Sequence, residues 1–401
     1  MARSDFADSI ERYVVPDSMA RSMAVEGGRV TFARYMDLAL THPVDGYYSN
    51  ADRLLGAHGH FSTAPRLCSA FNQAVLRLLT ELVDESLAAM SWASGPAVVE
   101  LGGGEGDLAR AILDGWHVVR PDLLDSVTYA IVEAGEGLRA RQREALSHLT
   151  ERGCVVSWAG TIADAPGDRV PAVILSNEFV DALPVHRVDV RGAEPVEAWV
   201  VLEDIGGVWH IRETWDHLSP EAEGELHLIF GTTETSRLQS LSRDGFIELR
   251  PAAGTLLAEV SSAMSAGSLL TVDYGGWFMG PEDCCGGGGG LYGHTLRGYF
   301  RHQATNDPYL RVGRQDLTAD VDFRALDIHG RATGFETILF TTLATLLRAD
   351  GAEQALVGLE DQVGRGGDGS LDADREATVL RALLEEEGLG GAFKVMLQVK
   401  E

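Results

Sequence analysis

Basic residues are the first scarcity. The 401 residues hold 33 Lys and Arg against 60 Asp and Glu, a net charge of −27 with an isoelectric point near 4.7. Phosphate binding is driven by cationic side chains, so this balance argues against nucleic acid and anionic membranes as partners. It suits a basic or neutral substrate, and equally a chain made acidic for solubility. Long apolar runs are also missing. The best candidate, residues 338–347, is broken by threonines and falls short of a membrane span. Residues 1–19 mix Arg, Asp and Glu without an apolar core, unlike a signal peptide. Cysteines number four, Cys68, Cys154, Cys284 and Cys285, without metal-ligand spacing. No metal is expected, the vicinal Cys284-Cys285 pair reads as two reduced thiols, and a reducing, cytoplasmic location follows.

What is present is enough for a large core: 45% of residues are hydrophobic, and the length exceeds one average domain. The most informative stretch is residues 98–113. An apolar run ends at Glu100-Leu101, glycines fill a turn at Gly102, Gly103, Gly104 and Gly106, and a helix begins near Asp107 with Leu108, Ile112 and Leu113 on one face. Glycines there let a ligand approach unshielded main-chain N–H groups. The dinucleotide spacing G-x-G-x-x-G fails, because its third glycine would fall on Asp107. Gly102-x-Gly104-x-Gly106 instead fits the pattern of S-adenosylmethionine enzymes. Glu100, Glu105 and Asp107 would repel a pyrophosphate at short range, but not a sulfonium bearing an ammonium group. A turn that binds nothing remains the bland alternative.

Downstream, a second apolar run over 127–132 stops at Glu133, where a carboxylate accepts from ribose hydroxyls or simply caps the next helix. Val155-Val-Ser-Trp158 reads as a third strand, with Trp158 as an adenine-stacking or core residue. The strand at 172–175 runs into Asn177, Glu178 and Asp181, polar groups where ligands bind in open α/β sheets or plain turn residues. Alternation over 197–211 around Gly206-Gly207 predicts a β-hairpin. Strand five spans 268–273, a glycine-rich loop covers 285–290, and a last strand lies at 392–399. The domain reading is a helical lid at 1–94, core at 95–190, a hairpin and helical insertion at 191–254, the strand-five region at 255–275, a substrate-side insertion at 276–334, and core completion at 335–401.

Several ordered blocks carry a family resemblance. They are Phe32-Ala-Arg-Tyr-Met36 with Pro43 and Gly46-Tyr-Tyr-Ser49, then Phe61-Ser-Thr-Ala-Pro65, Glu100-Leu-Gly-Gly-Gly-Glu-Gly106 and residues 129–133. Asn177-Glu-Phe-Val-Asp-Ala-Leu-Pro184, Val272-Asp-Tyr-Gly275, Thr295-Leu-Arg-Gly-Tyr299, residues 316–323 and Phe393-Lys-Val395 follow. Together they resemble the MidA-type family of class I S-adenosylmethionine-dependent methyltransferases, which includes a mitochondrial complex I assembly factor that methylates an arginine.

The resemblance implies an α/β fold: a Rossmann-like, mostly parallel sheet with an antiparallel C-terminal strand, plus a lid and an insertion domain. It implies S-adenosyl-L-methionine as cofactor, gripped by Glu100, Gly102, Gly104, Gly106, Glu133, Asn177, Thr63 and Pro65. Asp181, Glu178 and His60 are the catalytic candidates, His60 because its ordinary pKa suits a base near neutrality. His186, Tyr274, Arg297 and Tyr299 are the substrate-side candidates. His60, Arg66 and Asn72 depart from the family's acid, glutamate and glycine, which points to a divergent member. The expected reaction is methyl transfer to a specialised small molecule or peptide. The alternatives are protein arginine methylation and a non-catalytic cofactor-binding assembly factor. A homodimer is left open.

Overall fold

The run Ala97–Leu101 (β1) is buried at every position, as a strand covered on both faces must be. Around it a computed structural model builds a mostly parallel sheet. The strands are β2 (Thr128–Val132), β3 (Val156–Ala159), β4 (Ala172–Asn177), β5 (Gly267–Gly276), β6 (Glu336–Thr342) and β7 (Phe393–Lys400), in the order β3-β2-β1-β4-β5-β7-β6. β1 pairs in parallel with β2 and β4, β2 with β3, and β4 with β5. β7 runs antiparallel to both β5 and β6, as expected for the C-terminal strand. Chain order reverses between β1 and β4, the switch point where open α/β sheets bind ligands beyond the carboxyl ends of their strands.

The structure describes residues 13–49, 64–89, 96–165, 172–278, 291–301, 303–366 and 369–401. They fall into two units. The sheet above belongs to the unit formed by Ser62–Asp181, Ala253–Gly276 and Val321–Glu401; the other comprises Met1–Phe61, Ala182–Ala252 and Trp277–Asp320.

In the sheet unit, α1 (Ser69–Ala89) turns Phe71, Val75, Leu79 and Leu82 into the core, and α2 (Asp107–Val119) adds Leu108, Ile112, Leu113 and Trp116. Trp116 is wholly buried and its indole N–H donates to Thr80 Oγ1 at 2.8 Å, which ties α2 to α1. α1 therefore belongs to the core unit, whereas chain order alone had grouped it with a lid over 1–94. A helix at Ala352–Arg365 was not anticipated, although Ala352, Leu356, Leu359 and Val363 recur at helical spacing and Leu356 and Leu359 pack on the core.

The other unit is centred on an antiparallel sheet. The hairpin strands Val196–Ile205 and Val208–Asp216 lie where alternation predicted them, and His186–Asp189 and Phe246–Leu249 extend one side. The N-terminal region is not only helical, because Arg29–Thr31 pairs with the first hairpin strand and Tyr13–Val14 with the second. A small separate sheet joins Arg297–Phe300 to Gln303–Thr305 and Asp316–Thr318. The expected glycine loop at 285–290, Cys284 and Cys285 lie outside the described residues. Cys68 and Cys154 are buried free thiols.

Candidate active site

The glycine turn leaves β1 with three left-handed residues, Gly102 (φ 66°), Gly104 (φ 52°) and Gly106 (φ 85°), the last at the N-cap of α2. Glycine is required twice over at Gly102, where a Cβ would stand 2.5 Å from Phe179 Cδ2. At Gly104 the direction of a Cβ is open, with no heavy atom within 4 Å. The turn thus presents bare backbone on one side and packs against the residues that follow β4 on the other.

Two carboxylates flank it. Glu100 is buried and accepts from the Tyr129 hydroxyl at 3.0 Å. Burial pushes its carboxyl up to about 7, the tyrosine hydrogen bond pulls it down, and neighbouring Glu133 pushes it further up. Glu133, at the end of β2, accepts the Gly135 N–H on Oε1 at 2.9 Å. Its carboxyl is raised by burial, against the pull of Gly135, Gln142 and Arg139. This N-cap-like contact leaves further lone pairs on the carboxylate, so it does not preclude a ribose-binding role.

Gln142 went unnoticed in the sequence. From α3 (Glu136–Ala145) its Nε2 donates to Gly104 O at 2.9 Å, and its Oε1 accepts from Trp158 Nε1 at 3.1 Å. A fully buried glutamine therefore pins the glycine turn to β3. Trp158 is half-buried, its indole N–H held by Gln142 and the Arg143 guanidinium 5.4 Å from its ring centroid.

Beyond β4 the structure gathers Asn177, Glu178, Asp181 and Tyr274. Asn177 Oδ1 is buried and has no hydrogen-bond partner among the described residues. Glu178 sits at φ 47°, a conformation rare for a residue with a Cβ. Asp181 is buried and accepts the Tyr274 hydroxyl on Oδ2. Asp273, near the carboxyl end of β5, is wholly buried behind this turn; the sequence placed it in strand five and in the Val272-Asp-Tyr-Gly275 block without a site role.

The remaining candidates separate. His186 lies in the antiparallel unit, buried, with Nδ1 2.6 Å from Glu197 Oε1, whose other oxygen takes the Ser219 N–H at 2.6 Å. Ser219 in turn caps the helix Pro220–Phe230. This substrate-side candidate is thus engaged in a buried network, in which buried polar groups satisfy one another. Arg297 pairs with Asp320 at 3.2 Å, and Tyr299 sits opposite Asp316 in the small sheet, both in that same unit. Pro65 is buried, its carbonyl accepting from Asn72 Nδ2 at 2.7 Å. Arg66 pairs with Glu105 of the glycine turn at 2.6 Å. His60 and Thr63 lie outside the described residues. Among the described residues no group of His, Cys, Asp and Glu is arranged to hold a metal ion, and no helix is long and apolar enough to cross a membrane.

These acceptors fit S-adenosyl-L-methionine. Glu100, Glu133 and the unpartnered Asn177 oxygen offer lone pairs to hydroxyls and an ammonium, and the open side of Gly104 admits a ligand to the backbone. Glu105, just before α2, and Asp107, in its first turn, bring negative charge to the helix start, where a phosphate would be repelled.

Comparison with known proteins agrees. The family model described as "Putative S-adenosyl-L-methionine-dependent methyltransferase" matches residues 78–341. The protein arginine methyltransferase NDUFAF7, mitochondrial, of Danio rerio is 29% identical over 347 residues, spanning 81% of this chain and 73% of the relative. The Bos taurus protein of the same name is 28% identical over 322 residues, spanning 75% and 65%. A Burkholderia thailandensis crystal structure with S-adenosyl-homocysteine bound shares 27% identity and a TM-score of 0.72, covering 96% of this chain and 94% of that one. The relatives' names place those proteins in mitochondria, which overturns the cytoplasmic location expected from composition and cysteine usage. A match over more than half its length, on a sheet with the switch point of an open α/β fold, makes this chain a member of the MidA-type S-adenosyl-L-methionine-dependent methyltransferases.

Proposed function

We propose that the methyl acceptor is an arginine guanidinium on a protein or peptide, held by Glu178 and Asp181. The observation that carries this reading is the 177–181 turn. It sets two carboxylates at the end of β4 while Phe179, between them, packs on the glycine turn at Gly102. The relatives' printed activity, protein arginine methylation, supports the same acceptor. Paired carboxylates suit a planar guanidinium, whose N–H groups make charge-assisted hydrogen bonds to them.

When bound, S-adenosyl-L-methionine supplies a methyl group on a positively charged sulfur that departs readily. The chain's own share is positioning, exclusion of water and disposal of one proton, since a guanidinium arrives protonated. Glu178 and Asp181 neutralise the incoming cation. Asp181, buried and oriented by Tyr274, is the proton acceptor in this reading, and Glu178 anchors the far edge of the guanidinium.

A small anionic acceptor recruited by Arg66 is the weaker reading, because Glu105 already takes up that guanidinium. The deciding experiment incubates the full chain with methyl-labelled cofactor and a cell extract, then separates protein from small molecules and hydrolyses the protein. Label in methylarginine is expected, lost at least tenfold in Asp181→Asn and Glu178→Gln. Label confined to the low-mass fraction overturns the proposal.

A further inference from the structure

Every backbone N–H of the turn over 178–181 is spent on strand β5. Glu178 N donates to Val272 O at 2.9 Å. The next three, from Phe179, Val180 and Asp181, converge on one oxygen, Asp273 Oδ2, at 3.2, 2.9 and 3.2 Å. Successive N–H groups turned toward one point form a nest, the concavity that binds anions in many sites. Here the occupant is the protein's own carboxylate, with no exposed surface. Its other oxygen accepts the Tyr274 N–H at 2.9 Å.

The neighbouring residue acts on the same turn through a side chain. The Tyr274 hydroxyl donates to Asp181 Oδ2, and its ring is set edge-on against Phe393 with centroids 5.6 Å apart. Glu178 meanwhile is held left-handed, a conformation that persists in a residue with a Cβ only where its surroundings over-determine it. Four consecutive hydrogen bonds to Val272 and Asp273 supply that over-determination.

We propose that Asp273 and Tyr274 are the positioning residues of the acceptor turn: Asp273 fixes its backbone, and with it the left-handed Glu178, while Tyr274 orients the Asp181 carboxylate. The functional part of this statement rests on the reading that Glu178 and Asp181 face the acceptor.

The charges of the turn act on Asp273 in return. Burial, then the Asp181 and Glu178 charges, push the Asp273 carboxyl well above the ordinary carboxylate range, against the pull of the Asp181 and Tyr274 N–H donors. Asp181 is thus faced by Asp273 and Tyr274 from β5 and by Glu178 from its own turn. A hydroxyl donated to Asp181 favours its charged form, the form that neutralises a cation.

The test uses Tyr274→Phe in the full chain, with carbon-13 in the aspartate carboxyls and the Asp181 resonance assigned through Asp181→Asn. Loss of the hydroxyl should raise the Asp181 titration midpoint by about one pH unit, while calorimetric affinity for S-adenosylhomocysteine stays within about twofold. In Asp273→Asn, hydrogen exchange of amides 179–181 should speed up by about tenfold or more, with β4 still protected. An unchanged Asp181 midpoint, or unchanged exchange of those amides, overturns the positioning role. Should Asp273→Asn fail to fold, Tyr274→Phe decides alone, since it keeps the ring against Phe393. Full methyl transfer by Asp181→Asn would instead sink the acceptor reading, a separate failure from an unmoved titration.

Discussion

Gly102 is the residue on which the glycine turn and the turn after β4 meet. Any side chain there is strained by φ 66° and driven into the Phe179 ring 2.5 Å from where its Cβ would stand. The left-handed conformation alone costs a Cβ-bearing residue about 1–2 kcal/mol. Gly102→Ala should therefore lower the melting temperature by several degrees and weaken S-adenosylhomocysteine binding by about tenfold or more. Calorimetry showing wild-type affinity would mean that Phe179 yields and the contact is incidental. Glu100 gives a second residue-scale expectation. Its folded carboxyl is pushed up to about 7, above the unfolded value of about 4.3. Between these values the folded chain keeps a proton that the unfolded chain has lost, so stability falls as pH rises through this window. The loss is on the order of 3 kcal/mol if Glu100 acted alone. Glu100→Gln should flatten the decline in urea midpoint from pH 5 to pH 8; parallel curves for variant and wild type would refute this account.

At the scale of elements, α3 has an unusual task. Its sequence is dominated by Glu and Arg, with Leu138 and Gln142 as its buried residues. Gln142 satisfies a carbonyl of the glycine turn and the Trp158 indole together, and its removal leaves both without that partner. Each buried polar group so stranded costs about 1–3 kcal/mol. Gln142→Ala should thus destabilise the chain by at least about 2 kcal/mol in urea titrations and loosen cofactor binding, with Gln142→Met, close in volume, restoring little of either. A glutamine in a polar helix carries no signal in one sequence, which is why this pin was invisible while the glycine turn was plain. Strands with dense apolar runs, such as 172–175 and, apart from Glu100, 97–101, were legible for the opposite reason: burial on both faces favours apolar residues. The short strands at His186–Asp189, Phe246–Leu249 and Gln303–Thr305 were not, because three or four residues give too little alternation to count. Asp273 looked like any strand-end acid. Only the pairing of Val272 with Asn177 brings it behind the 177–181 turn. His186 had the same ambiguity and resolved the other way, into a buried pair with Glu197.

For the whole molecule the dominant fact is charge. A net charge of −27 favours expansion over compaction, and added salt screens that repulsion. Raising sodium chloride from about 20 mM to about 500 mM should raise the melting temperature, despite the weakening of surface pairs such as Arg29–Asp216 and Arg66–Glu105. A fall in melting temperature over this range would show that specific ion pairs outweigh the general repulsion. The same surplus of carboxylates suits a basic acceptor, and the proposed acceptor turn after β4 would give that preference an address.

The filled nest behind that turn has a practical corollary. An N–H cradle that already holds Asp273 has no room for a foreign oxyanion, so sulfate and phosphate buffers should neither inhibit the enzyme at this point nor settle there in a crystal. If the proposed acceptor reading holds, amidines and guanidines should inhibit on the acceptor side where phosphates do not.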